Sequence, residues 1–184
     1  TGYVRNPLVI LLVGWLVKVI YRRSNLILVS SRPFQDAIKR YSPTSEVIYY
    51  PNSVDASFCN PGSGLKPDVP ALDDGFCIVF AGNVGAAQAM HVMTDAADRL
   101  REHKEIKLVV IGTGSELDWM RFQILERGLT NLLLAGRFPV QAMPNLLSRA
   151  KVLLVTLADQ EIFAATVPNK IQAYMAVGRP IIAS

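Results

Sequence analysis

The chain has 184 residues, 51% of them hydrophobic and 18% charged, with a formal charge of +4. That balance excludes a disordered chain and is ample for a packed α/β core. The mild positive charge suits an anionic small ligand or an anionic membrane surface, and the lack of a dense Lys/Arg stripe excludes a nucleic-acid footprint.

The first element is "PLVILLVGWLVKVIYRR", residues 7–23. Its unbroken apolar part, Leu8 to Val17, is shorter than the roughly 20 residues of a membrane span. A buried helix, an interfacial helix with Lys18, Arg22 and Arg23 beside lipid headgroups, and the end of a truncated span all fit it. "NLILVSS" reads as a strand, and "RPFQDAIKRYS" as a short helix with Ser31 placed to cap it and Pro33 in its first turn. "SEVIYYPNSVD" is a further strand. Residues 60–75, "NPGSGLKPDVPALDDG", are dense in turn and breaker residues and read as a linker.

Beyond the linker the pattern becomes regular. "FCIVFAG", "IKLVVIG", "NLLLAG", "KVLLVTL" and "RPIIAS" read as strands. Between them, "AAQAMHVMTDAADRLREH", "SELDWMRFQILERG", "MPNLLSRA" and "VPNKIQAYMAVG" read as helices, the second capped by Ser115 and closed by Gly128. Strands apolar on both faces, each followed by a helix, imply a parallel sheet with crossover helices. Met90 and Met93 fall at core spacing, whereas His91 and His103 suit packing or solvent better than catalysis. The two cysteines, Cys59 and Cys77, form no CxxC pair, so two reduced thiols are expected rather than a disulfide or a zinc site.

Two strand–glycine–helix joints stand out, Gly82-Asn83-Val84-Gly85 and Gly112-Thr113-Gly114-Ser115. Neither completes GxGxxG. Each can hold a phosphate, because glycine lets backbone approach an anion and a helix start offers free N–H groups. Each can equally be a plain tight turn. "LAGRFP" ends a third strand with Arg137 and Phe138, and "FAATVPNK" brings Thr166, Pro168, Asn169 and Lys170 ahead of the last helix. In an open parallel sheet all these joints lie at the carboxyl ends of strands, where ligands bind.

The order "FAGNVGAAQ", "VIGTGSEL", "LLAGRFPVQAMPNLLSRAKVLLVTL", "TVPNKIQAYMAVGRPII" resembles the nucleotide-sugar-binding half of a GT-B glycosyltransferase of family four. The "GNxGxAQ" and "TxPxK" variants are most similar to bacterial transferases of surface-polysaccharide sugars, including N-acetylated deoxyhexosamines. The upstream "YRRSNLILVSSRPFQDAIKRY" and "VIYYPNSVD" resemble the end of an acceptor half and the crossing between halves. The resemblance implies an α/β fold, a Rossmann-like parallel sheet with helices on both faces, forming one truncated half of a GT-B fold. The expected organisation is 1–59, acceptor-side remnant and crossing; 60–75, linker; 76–184, donor domain. The start at Thr1 and the stop after "PIIAS" are read as the ends of a fragment, inactive by itself.

What the resemblance implies extends to residues. Gly82, Asn83, Gly85 and a helix starting near Ala86 would face the donor diphosphate or its sugar, with Gln88 bonding a hydroxyl or phosphate. Gly112 and Gly114 belong to the same donor edge, and Arg137 and Phe138 lie where the family holds the base. Thr166, Pro168 and Asn169 complete the donor set, and Lys170 and Gln172 are the catalytic candidates, Lys170 offsetting charge on the leaving diphosphate. Solvated side chains remain the plain alternative for Gln88, Arg137 and Lys170. Many relatives carry paired glutamates where this chain has Ala165 and Ala173, with Glu161 and Gln172 nearby.

The implied activity is a retaining transfer of a hexosyl or N-acetylhexosaminyl group, an N-acetylated deoxyhexosamine included, from a UDP-linked donor to a lipid-linked or polysaccharide acceptor in cell-surface polysaccharide synthesis of the lipopolysaccharide kind. It would take place in the cytoplasm at the inner face of a bacterial membrane, with peripheral contact through residues 7–23. No D-x-D motif is present, so neither a cofactor nor a required metal is expected. A sugar-nucleotide epimerase-like GT-B enzyme and a nonenzymatic nucleotide-binding subunit remain the alternatives. A dinucleotide oxidoreductase fits less well, because "LVVIGTG" has no acid at its end.

Overall fold

The computed structural model describes residues 6–184, so residues 1–5 of the expected acceptor-side segment lie outside the described residues. The chain divides into two compact units. One holds the described residues up to Asn52 together with Asp159–Val167, and the other holds Ser53–Ala158 and Pro168–Ser184.

In the first unit, α1 (Pro7–Arg23) begins where the Asn6 side chain accepts a hydrogen bond from the Leu8 N–H, and ends on Arg22 and Arg23, which suit the negative end of its dipole. Strands β1 (Leu26–Val29) and β2 (Glu46–Tyr49) pair in parallel. Helix α2 (Pro33–Tyr41) joins them, and Ser42 and Ser45 donate to the Tyr21 carbonyl at 3.1 and 2.8 Å. Two expectations fail here. Ser31 does not cap α2; its buried hydroxyl donates instead to the Ala165 carbonyl at 2.5 Å, beyond the short helix α6 (Glu161–Ala164). And of the three readings open for α1, the buried helix does not hold: no residue of it is buried, with Leu8 at 72% exposure, Leu11 at 69% and Trp15 at 61%. Among the described residues no helix is long and apolar enough to cross a membrane.

The second unit carries β3 (Phe76–Asn83), α3 (Met90–Arg99), β4 (Ile106–Thr113), α4 (Leu117–Arg127) and β5 (Leu132–Gly136). After these come α5 (Met143–Ser148), β6 (Val152–Val155), α7 (Lys170–Ala176) and β7 (Ile181–Ala183). The five strands lie in the order β5-β4-β3-β6-β7, all parallel. Alternation splits the strands between two cores. Val79, Ala81, Val109, Ile111, Leu153 and Val155 pack with Leu146, Leu147 and Tyr174, whereas Phe80, Leu108, Val110 and Leu154 pack with Met90, Met93 and Met120. Helices thus cover both faces, as the unbroken apolar strands imply. The chain runs from β3 outward to β5 and returns beside β3 as β6, so the strand order reverses between β3 and β6. A crevice outside the carboxyl ends of the strands is the topological consequence.

Local structure departs from expectation in three places. Residues 60–75, read as a linker, form 3-10 turns and bury Val69 and Leu72 in the core. Arg149 fastens this stretch, donating to the Pro67 and Val69 carbonyls at 3.0 and 2.9 Å and pairing with Asp73. The helix expected near Ala86 starts only at Met90, because a 3-10 turn, Ala86–Gln88, and Ala89 at φ +46° intervene. Ser115 does not cap α4, whose N-cap position is Glu116, while Gly128 closes it with φ +60° as expected.

At the carboxyl ends of β3 and β4, Gly82 and Gly112 stand opposite each other in register. Gly112 has φ +147°, and a Cβ there would lie 1.8 Å from the Gly82 carbonyl oxygen. Gly128 has φ +60° but open space around it. Gly112→Ala should therefore cost roughly 3 kcal/mol or more, and Gly128→Ala only about 1 kcal/mol, of unfolding free energy in urea titrations. Equal losses would show that the close approach of the two backbones is not the tight point.

Candidate functional site

A cavity of about 370 Å³ opens at the carboxyl ends of β3, β4 and β5. Its polar rim is Gly82, Asn83, Thr113, Arg137 and Lys170, and its apolar wall includes Phe58, Phe138, Met143 and Leu147. The two glycine joints form one floor. Val84 N–H donates to the Thr113 carbonyl at 2.9 Å, and Glu116 N–H to the Val84 carbonyl at 2.9 Å. The Asn83 side chain lies against both Gly85 and Gly114; a Cβ on either would come within 2.6 Å of Asn83 Nδ2 or 2.8 Å of its Oδ1.

Lys170, the first residue of α7, is the charged centre. Its Nζ stands 3.7 Å from the centroid of the Phe80 ring and 3.1 Å from Gln88 Oε1, to which it donates. Burial pushes the ammonium down from 10.5 to about 8. Among the described residues, no Asp or Glu lines the cavity, and Arg137 is its other cation. A cation over an aromatic face recovers part of its lost hydration, and one amide oxygen recovers a little more. An anionic ligand would complete the set. Ala173, one of the two positions where the resemblance implies a glutamate, lines the wall.

The structure brings Gly82, Asn83, Gly112, Arg137, Phe138 and Lys170 to one cavity. Gly85 and Gly114 pack beneath Asn83, and Gln88 reaches the cavity through Lys170. Pro168 and Asn169 form the lead-in to α7. Gln172 is not in the lining; its amide, oriented as its surroundings require, donates to the Pro168 and Asn169 carbonyls at 3.2 and 3.0 Å. Thr166 belongs to the other unit, where its hydroxyl donates to the Ile162 carbonyl at 2.7 Å. Ala165 lies in that unit as well.

Sequence reasoning missed three contributors. Phe58 enters the wall from a 3-10 turn, Ala56–Cys59, set by the Asp55 carboxylate accepting from the Ser57 N–H at 2.8 Å. An aspartate two residues before a serine is the local signal for that turn. Tyr174 is buried with its hydroxyl on Ala81, accepting from the N–H at 2.8 Å and donating to the carbonyl at 3.2 Å; burial pushes its phenol up, so it stays neutral. Thr156, buried at the end of β6, donates to the Gln88 carbonyl at 2.6 Å.

The Rossmann-like parallel sheet, with glycine joints and a cationic cavity at its strand ends, matches one half of a GT-B fold. The chain belongs to the group 1 glycosyl transferases, whose family model matches residues 75–184. It is 29% identical over 162 residues to the putative colanic acid biosynthesis glycosyl transferase WcaI of Escherichia coli (strain K12), a match covering 84% of this chain and 39% of that protein. The Anabaena protein HepE, solved in complex with UDP-glucose, superposes with a TM-score of 0.69 at 16% identity, over 92% of this chain and 47% of that one. A glycosyltransferase from Rickettsia africae ESF-5 gives 0.69 at 13% identity, over 91% and 47%. The chain thus spans less than half the length of these relatives.

Tyr174→Phe would leave the Ala81 N–H buried without its acceptor. Melting should show a loss of roughly 1–3 kcal/mol relative to the unsubstituted chain. A neutral substitution would mean that the N–H finds another partner.

Proposed function

We propose that the cavity binds the diphosphate and base of a UDP-linked sugar, and that the protein to which this chain corresponds transfers that sugar with retention to a lipid-linked or polysaccharide acceptor. The observation that carries the reading is the Lys170 ammonium, half-buried between the Phe80 ring and the Gln88 amide, with no carboxylate in the cavity lining among the described residues. Phe138 and Phe58 offer apolar surface for a base, Arg137 and Lys170 offer charge to the phosphates, and Asn83 offers an amide to the phosphates or the sugar. The family match and the likeness to a colanic acid transferase support a surface-polysaccharide role, with an N-acetylated deoxyhexosamine or another hexose as the transferred group. The solved neighbour that holds UDP-glucose supports the choice of donor.

In the proposed reaction the bond from the anomeric carbon to the diphosphate oxygen breaks, and the acceptor oxygen takes its place. Negative charge grows on the departing phosphate. Preorganised donors aimed at that charge lower the barrier, and more strongly where water is excluded. Lys170 supplies such a charge, and the exposed backbone around Gly82 and Gly112 lets a phosphate come close. The lack of D-x-D in the sequence favours a reaction without a required metal.

Titration calorimetry with UDP tests the donor reading. At pH 7 the free Lys170 is protonated and binding is at full strength; as pH rises through about 8 the ammonium is lost and affinity falls. At pH 9.5 the affinity should be roughly tenfold weaker, and Lys170→Met should weaken binding at pH 7 to a similar degree and flatten the pH dependence. UDP binding indifferent to both changes would remove Lys170 from the site. Nucleotide binding without transfer by the full-length protein would instead support the nonenzymatic subunit.

We further propose that α1 lies at the inner membrane interface. Its exposed Leu8, Leu11, Leu12 and Trp15 would enter the acyl boundary, with Lys18, Arg22 and Arg23 at the headgroups. The chain should co-sediment with phosphatidylglycerol-containing vesicles and about tenfold less with pure phosphatidylcholine. The combined Leu11→Ser, Trp15→Ser substitution should abolish the difference. Equal recovery with both vesicle types would overturn the electrostatic part of the assignment.

A further inference from the structure

Gln88 and Lys170 arrive from different loops, yet the amide oxygen of one stands at the ammonium of the other. The Ala86–Gln88 turn is only three residues long and is separated from α3 by Ala89, at φ +46° the single non-glycine residue with positive φ among the described residues. Such a turn does not hold itself. It is fastened by the chain leaving β6, at two points: the Thr156 hydroxyl donates to the Gln88 carbonyl at 2.6 Å, and the Ala158 N–H donates to the Ala87 carbonyl at 3.0 Å. Thr156 has 0% exposure, so its hydroxyl has no water to turn to. These fastenings sit where β3 and β6 adjoin, at the reversal of strand order.

We propose that Thr156 is a positioning residue for donor binding: its hydroxyl fixes the Gln88 turn, and Gln88 Oε1 in turn holds the Lys170 ammonium over Phe80 toward the cavity. The inference rests on the reading of Lys170 as the diphosphate cation. Thr156 itself does not line the cavity. Its effect on the ammonium therefore passes through Gln88. The sign of that effect follows from the hydrogen bond. Gln88 accepts only from the charged ammonium's N–H with full strength, so it favours the charged form. Burial opposes it, and the only other charged side chain lining the cavity among the described residues, Arg137, is also a cation. Releasing Gln88 should therefore lower the midpoint of Lys170 further and leave less ammonium for an anion at neutral pH.

The test is a titration of the Lys170 Cε carbon shift by NMR in the whole chain, assigned with Lys170→Arg and read alongside UDP affinity. Thr156→Val and Gln88→Leu should each lower the midpoint by roughly half a pH unit or more, and Thr156→Ser should restore it. The double variant should fall no further than Gln88→Leu alone, since the two act in series. UDP affinity at pH 8 should drop about twofold or more in Thr156→Val and recover in Thr156→Ser. If Thr156→Val leaves the midpoint in place while Gln88→Leu moves it, or if the two shifts add, the proposal is overturned. Thr156→Ala carries the same comparison should the valine substitution prevent folding. The titration needs no nucleotide, so it decides the Thr156–Gln88–Lys170 linkage by itself, while failure of the whole chain to bind UDP overturns the donor reading separately.

Discussion

The close approach of two strand ends determines the rest of this unit. Gly82 and Gly112 face each other across β3 and β4 with no room for a Cβ on Gly112. Any side chain there would force the strands to part and lift the floor of the cavity. Because the backbones meet, their next residues, Asn83 and Thr113, turn up into the rim together. The cavity is thus a consequence of sheet geometry before it is a matter of side-chain chemistry. A parallel sheet whose order reverses beside its central strand leaves a crevice at that point, and the glycine pair sets how closely a ligand can approach the backbone.

Onto that floor the fold brings a charge it does not neutralise. Taking an ammonium out of water costs free energy that an aromatic face and one amide oxygen only partly return. Such an arrangement persists because α7 begins at Lys170 and Tyr174, four residues on and therefore on the same side of the helix, anchors that helix to the Ala81 backbone. The anchor is buried and neutral, and so does not compete for an anion. Stability is supplied by Tyr174 and the two cores, and the Lys170 end of the helix is left to bind. In the proposed reaction the same lack of compensation makes the site responsive to a diphosphate.

Much of this was legible in the sequence, and the reasons differ from element to element. The strands were readable because both faces are apolar, and the glycine joints because positive φ and close backbone contact admit little else. Lys170 was named through the resemblance, and its place at the first residue of α7 is where a cation opposes the helix dipole. The errors share a cause. Ser31 looks like a cap locally, but a buried hydroxyl takes the acceptor that tertiary structure offers, and it found one at Ala165, whereas Ser115 stays exposed while the N-cap position falls one residue later, at Glu116. The 60–75 stretch has a linker's composition, yet Val69 and Leu72 complete a core that no local pattern reveals. Apolar residues in α1 left burial open beside an interfacial helix and a truncated span, and in this chain they are exposed. Phe58 and Thr156 carry no periodic signal and act through contacts with residues far along the chain.

The carboxylate-free lining has its own consequence for recognition. Where a site holds hydroxyl groups with a carboxylate, the ligand is oriented by directional acceptors, and loss of one hydroxyl leaves a buried charge unpaired. In this cavity the lining residues that can orient a ligand are two cations, an amide, a threonine and backbone groups exposed by glycine. Cations and backbone N–H groups read phosphate, while apolar walls read a base by contact and stacking. Such a lining discriminates strongly on charge and weakly on the hydroxyl pattern of whatever lies between phosphate and base. Under the proposed function, donor choice among sugars would then rest on Asn83 and on groups that face the sugar from outside this lining, rather than on the cations proposed to hold the diphosphate.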